Sequence, residues 1–273
     1  MKWRVIDSGL ASAAVNMAVD EAIMTAHGAG EAPPTLRFYG WRPAAISLGY
    51  FQKAAEVNLA ECAGRGIDVV RRLTGGRAVL HDAELTYSIV VREDSPAIPS
   101  TITASYRYFS EGLLASLRQL GLDARMSIPR AAYGQSKKQT ASSACFDAPS
   151  HYEITVAGRK MVGSAQVRKN GVILQHGSVL LRFSAEDIVA VLQLPSLQLR
   201  DPLTEMLRRR ATSVEEALGR PVDWQEVCGV MAQAFGPALG VETEVSGLSE
   251  GESALSRRLA ADKYSQDCWN LLR

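Results

Sequence analysis

The sequence predicts an α+β fold, and three observations lead there. Apolar runs of strand length recur along the chain without strict alternation with helices, so a doubly wound parallel sheet is not expected. Residues 105–120 carry Tyr106, Phe109, Leu113, Leu117 and Leu120 at helical spacing. Asn170-Gly171 separates two strand-like segments, the signature of an antiparallel hairpin. With 273 residues and 47% hydrophobic content, the chain can bury a full core as a single domain over 1–273.

In chain order, residues 3–7 read as an opening strand. Residues 13–26 read as a helix with Val15, Val19, Ala22, Ile23 and Ala26 on one face, ended by Gly28 and Gly30. Strands follow at 36–41 and 45–49 around Arg42-Pro43, then a short helix at 57–63. Two further strands, 67–70 and 85–91, flank the stretch 71–81. The amphipathic helix stops at Gly121. Residues 134–143 are polar and aperiodic and read as a surface loop. A meander of strands is expected over 152–156, 160–168, 172–176 and 178–183. Helices then dominate: 185–192, an arginine-rich 202–211, one N-capped by Asp223 with Glu226 in capping-box position, and a last one at 253–264. A short strand at 241–245 precedes that last helix.

Composition narrows the function. Thirty basic and 29 acidic residues give a net charge of +1, which offers nothing to nucleic acid or an anionic membrane. No apolar run reaches the length of a membrane span and the N-terminus lacks a signal-peptide core, so the cytoplasm is the default compartment. Four scattered cysteines without a CxxC pair argue against zinc or a disulfide framework.

Two places carry chemistry. Arg71-Arg72-Leu73-Thr74-Gly75-Gly76-Arg77 runs from one strand towards His81, and its glycines let backbone N–H groups approach a ligand. With fixed arginine charge, it suits an anion or an acyl carbonyl; the plainer reading is a hairpin with solvated arginines. Cys145 lies where the polar loop meets a turn. A reactive thiol needs partial exposure and nearby positive charge, and Lys160 is the candidate cation. A free cysteine is otherwise a small buried hydrophobe, which suits Cys62 and Cys228. His81, His151 and His176 are all open as partners for the cysteine, whereas His27 suits a helix C-terminus.

These residues also carry a resemblance. Arg71 through Asp82 resembles a signature of the lipoate/biotin protein ligase superfamily. Gly158-Arg159-Lys160-Met161-Val162-Gly163-Ser164-Ala165-Gln166-Val167-Arg168 resembles that family's lysine segment, and Leu174-Gln175-His176-Gly177-Ser178 its His-Gly strand. Ala144 through Glu153 looks like the cysteine loop of one branch, the octanoyl transferases that modify glycine cleavage H protein. The resemblance covers roughly residues 1–250.

It implies a class II synthetase/biotin ligase-like mixed sheet flanked by helices, with the catalytic core at about 33–248 and a C-terminal helical extension at 249–273. It further implies that Cys145 accepts octanoyl from octanoyl-acyl carrier protein as a thioester. The acyl group then passes to a lipoyl-domain lysine of the H protein. Lys160 would favour the thiolate. Arg71, Arg72, Thr74, Gly75, Gly76, Arg77, His81, Gly163, Ser164, Gln166, His176 and Gly177 would line the substrate site. Neither ATP nor a metal is implied, and a monomer is expected. An ATP-dependent lipoate–protein ligase is the alternative on the same fold. Arg77, standing where those ligases usually carry a third glycine, argues against it, as does the cysteine loop. An amidotransferase between lipoyl domains is a second alternative. A biotin ligase does not fit the cysteine loop, and intact Cys145 and Lys160 disfavour a catalytically dead carrier-binding module.

Overall fold

A computed structural model describes residues 2–127 and 153–273. The predicted loop 134–143, Cys145, His151 and Tyr152 lie outside the described residues. The strands are β1 (Lys2–Ala11), β2 (Thr35–Trp41), β3 (Ala45–Leu48), β4 (Asp68–Arg71), β5 (Val79–His81), β6 (Glu84–Arg92), β7 (Ala124–Ser127), β8 (Glu153–Val156), β9 (Arg159–Lys169), β10 (Val172–Leu180) and β11 (Glu242–Val245). The helices are α1 (Ala13–Gly28), α2 (Leu59–Gly64), α3 (Ile102–Gln119), α4 (Ala185–Ala190), α5 (Arg200–Arg210), α6 (Val214–Leu218), α7 (Trp224–Leu239), α8 (Glu250–Leu259) and α9 (Asp267–Asn270).

Eight strands form one mixed sheet in the order β11-β1-β2-β6-β10-β9-β8-β7, and three form a small second sheet, β4-β3-β5. In the large sheet β1 runs parallel to both neighbours, and the other pairings are antiparallel. The hairpin between β9 and β10 turns at Asn170 and Gly171, both at positive φ as a tight hairpin turn demands.

Strand alternation divides the large sheet into two chemistries. One face carries Leu36 and Phe38 of β2, Leu85, Tyr87, Ile89 and Val91 of β6, and Ile173 and Val179 of β10. These pack with Trp3 against Phe109, Leu113 and Leu117 of α3 and Met231 and Phe235 of α7. The intervening residues are of another kind: Arg37, Glu84, Thr86, Ser88, His176 and Ser178 are all buried. They form the polar floor on which α1 and the small sheet lie.

Several expectations need correction. The hairpin reading of residues 71–81 fails, because β4 pairs with β3 and β6 belongs to the other sheet. Val15 is exposed, while Val19, Ala22, Ile23 and Ala26 are buried as expected and α1 buries Asn16, Met17 and Asp20 besides. Val57 precedes α2 and bridges to Leu192. Asp223 does cap α7, accepting from Gln225 N, but Glu226 pairs with Arg220 and closes no capping box. The complete capping box belongs to Ser249 and Glu252 at the start of α8. The last helix is interrupted: α8 ends at Leu259, one wide turn spans Ala260–Tyr264, and α9 follows.

Candidate active site

The pocket lies between the polar face of the large sheet and the small sheet. Its volume is about 450 Å³, the open mouth included. Met17, Tyr39, Trp41 and Thr86 are buried, and Gly76 is exposed, so the mouth lies on the Gly76 and Ser164 side. Of the residues expected at the substrate site, Arg72, Gly76, His81, Gly163, Ser164, His176 and Gly177 line this pocket. Arg71, Thr74, Gly75, Arg77 and Gln166 are not on this wall. His176 sits in the middle of β10 rather than at a strand end.

Both leading arginines turn inward, contrary to the solvated and anion-facing readings. Arg71 is fully buried: Nη1 donates to the carbonyls of Gly49 at 2.8 Å and Gln52 at 2.7 Å, and Nε donates to Trp269 O. Its backbone exchanges bonds with the C-terminal segment, N to Asn270 Oδ1 and O from Trp269 Nε1. Burial and the nearby Arg273 charge pull the Arg71 pKa below its usual value. Arg72 donates to Ser47, Thr74 and the carbonyls of Gly75 and Arg77. The turn therefore owes its shape to guanidinium–carbonyl bonds. Gly49 is needed beside it, since a Cβ there would come within 2.0 Å of Gly76 O.

Beneath the pocket, Asp20 is the centre of a charged network. Arg37 Nη1 donates to its Oδ1 at 2.7 Å, Ser88 at 2.8 Å, Tyr39 to Oδ2 at 3.0 Å, and His176 Nδ1 lies 3.2 Å from Oδ2. Burial acts to raise the Asp20 pKa. The Arg37 charge and the bonds from His176 and Ser88 outweigh it and hold the carboxyl below the usual range. Burial pushes the His176 imidazole below its usual range despite Asp20. It also pushes the Tyr39 phenol well up, with the Asp20 charge adding to it.

A second cluster holds His81. Its ring stacks on Trp41 at 4.0 Å, and its Nδ1 lies 2.6 Å from Glu84 Oε1, which also accepts from Thr86 and Ser178. Behind the wall, on the core side of the sheet, the buried Tyr87 O–H meets Ser164 Oγ at 2.7 Å, and Gln175 links Tyr87 to Gln166. Gln166 thus acts on the wall from behind it. Gly177 is required here, because a Cβ would lie 2.4 Å from Gly163 O.

Lys160 is buried at the start of β9, with Nζ 2.8 Å from Glu153 Oε1. Three residues further along the same strand is Gly163, on the pocket wall, about 10 Å away at the usual strand rise. Cys62 and Cys228 are buried, and burial pushes the Cys228 thiol up to about 12, with the Asp7 charge adding to it. Both are therefore poor nucleophiles.

Sequence reasoning missed Asp20, Arg37, Glu84, Ser47 and Glu153. Signals were present for some of them. Asn16 and Asp20 are four apart on an apolar helix, Arg37 interrupts an apolar strand, and Glu84, Thr86 and Ser88 alternate with apolar residues.

The fold is a mixed α+β domain with a pocket between its two sheets, and comparison with known proteins gives the family. Residues 12–236 match the model of the lipoyl protein ligase A/B catalytic domain, so the chain belongs to that family. Among relatives, octanoyltransferase LipM of Kyrpidia tusciae is 49% identical over 269 residues, covering 98% of each chain. The LipM of Bacillus subtilis is 44% identical over 273 residues, with 99% of this chain and 98% of the relative covered. Among solved structures, a bipartite lipoate protein ligase from Thermoplasma acidophilum superposes with a TM-score of 0.82 at 29% identity, covering 100% and 98% of the two chains. Lipoate-protein ligase A bound with ATP gives 0.79 at 30% identity, with 99% of each chain covered. Among the described residues, no helix is long and apolar enough to cross a membrane.

Proposed function

We propose that the chain is an octanoyltransferase of lipoate biosynthesis. It takes octanoyl from octanoyl-acyl carrier protein onto Cys145 and passes it to the lipoyl-domain lysine of glycine cleavage H protein. The observation that carries this reading is the pocket. Met17, Tyr39, Trp41, Val79 and Ala165 give it apolar walls, and its rim strand β9 begins at the buried Lys160. Seven buried CH₂/CH₃ groups at ~0.8 kcal/mol each contribute on the order of 5–6 kcal/mol, enough for preference by chain length. The full-length relatives named octanoyltransferase LipM support the same class of reaction.

In the first step the Cys145 thiolate attacks the thioester carbonyl, the new thioester forms, and the carrier's sulfur leaves as a thiolate that takes a proton from solvent. In the second, the unprotonated ε-amine attacks the Cys145 thioester, an amide forms, the thiolate leaves and the amine's proton passes to solvent. The thioester supplies the activation, so neither ATP nor a metal takes part. The Lys160 ammonium favours the thiolate, and Glu153 holds that ammonium in place. Backbone N–H groups near Gly75-Gly76 or Gly163-Ser164 are the candidates to stabilise the developing oxyanion, where one good donor is worth about 3 kcal/mol.

The test is an intact mass measured after mixing the protein with octanoyl-acyl carrier protein and no ATP. A hydroxylamine-labile octanoyl adduct is expected, absent from Cys145→Ser. An adduct that persists in Cys145→Ser, or that needs ATP, would refute the proposal.

A further inference from the structure

Two imidazoles line the pocket, and both are held in the same way. His176 has Asp20 Oδ2 on Nδ1 at 3.2 Å and Thr74 Oγ1 on Nε2 at 2.7 Å. His81 has Glu84 Oε1 on Nδ1 at 2.6 Å and Ser47 Oγ on Nε2 at 2.7 Å. One guanidinium lies between the two hydroxyls. Arg72 Nε donates to Thr74 Oγ1 at 3.1 Å, and Nη1 donates to Ser47 Oγ at 3.0 Å.

The chemistry of the donors and acceptors restricts each ring. A carboxylate only accepts, so each Nδ1 carries a proton. A hydroxyl can give its single proton to Nε2 or accept one from it. Arg72 donates to both hydroxyl oxygens, and among the described residues the ring nitrogen is the one remaining partner of each hydroxyl, so each hydroxyl proton points at Nε2. Arg72 also sets a fixed positive charge on the Nε2 side of both imidazoles, and a second positive charge there is disfavoured. The other charged groups in these clusters, Asp20 with Arg37 and Glu84, sit on the Nδ1 sides.

We propose that Arg72, acting through Ser47 and Thr74, is a positioning residue that locks His81 and His176 as neutral Nδ1–H tautomers. The pocket floor then carries no net imidazolium charge. Its use in seating an apolar acyl chain rests on the octanoyl-transfer reading, but the state of the rings does not.

The experiment is nitrogen NMR of the full chain labelled at histidine, at neutral pH, with signals assigned through His81→Gln and His176→Gln. Both pocket rings are expected neutral with the proton on Nδ1. Ser47→Ala should disturb only the His81 signals, and Thr74→Val only those of His176, whereas Arg72→Met should disturb both. The two hydroxyl variants keep the test intact if Arg72→Met does not fold. An Nε2–H or doubly protonated ring in the unaltered protein would overturn the inference, as would spectra that ignore Ser47→Ala and Thr74→Val. If the rings behave as expected while octanoyl transfer fails, the tautomer lock stands and only its use in acyl binding falls.

Discussion

Asp20 shows how one residue ties the stability of this protein to its pocket. Its carboxylate is buried against Arg37, and His176 leans on its second oxygen. Removing the counter-charge with Arg37→Met leaves the carboxylate buried, and should destabilise the fold by about 3–5 kcal/mol in chemical denaturation. The pH dependence follows from both shifts. His176 has a folded pKa below its unfolded value, so between those values the unfolded state binds more protons and stability falls as pH drops below about 6.5. Asp20 is also shifted down; its contribution is present above about pH 4 and is lost on further acidification. Denaturation midpoints should therefore fall as pH drops below about 6.5 in the unaltered protein and fall less steeply in His176→Gln, where His27, its pKa also pushed down by burial, keeps part of the slope. A flat profile in the unaltered protein would contradict this account of His176.

Lys160 raises a different question at the same scale. If its ammonium favours the Cys145 thiolate, Lys160→Ala should slow acylation most at neutral pH and recover in part at higher pH. A loss of rate independent of pH would mean that Lys160 orients substrate instead. Glu153→Gln, which keeps the shape but loses the charge facing Nζ, should give a smaller effect of the same kind.

At the scale of elements, the C-terminal segment is part of the pocket's support. Asn270 accepts from Arg71 N and donates to Tyr264 O, while Trp269 donates from Nε1 to Arg71 O and accepts from Arg71 Nε at its own carbonyl. Asn270→Ala strands two buried groups and should cost about 1–3 kcal/mol in thermal or chemical unfolding. Gly177→Ala drives a Cβ into Gly163 O and Tyr87, so it should lower stability and acylation rate together. An unchanged acylation rate in a folded Gly177→Ala protein would show that the β9–β10 wall does not shape the site.

Elements with one strong local signal were legible in the sequence. The α3 stripe, the Asn170-Gly171 hairpin and the Asp223 cap all rest on contacts within a few residues. The course of residues 71–81 was not legible, because β4 finds its partner in β3 and Arg71 finds its own in Trp269 and Asn270. Arginine in a turn reads as solvated; only the tertiary fold supplies the buried carbonyls that accept from it. Parts of the 71–81 stretch, β9 and the His176-Gly177 segment line one pocket, while the carboxylates that orient His81 and His176 come from α1 and β6 and left only a break in apolar pattern.

At the scale of the whole molecule, the eight-stranded sheet separates an apolar core from a polar, pocket-bearing face, and the small sheet roofs that face. Two readings compete for this frame: the proposed transfer from a thioester, and ATP-dependent activation of a free acid. The exposed Gly76 lies at the pocket mouth, and the next residue, Arg77, does not itself line the pocket. The direct measurement is a paired transfer assay to the lipoyl domain of H protein. One arm supplies octanoyl-acyl carrier protein without nucleotide, and the other supplies free octanoate with ATP and Mg²⁺. The account predicts octanoylated lipoyl domain in the first arm alone, with the signal lost in Cys145→Ser. Product only in the ATP arm would contradict it.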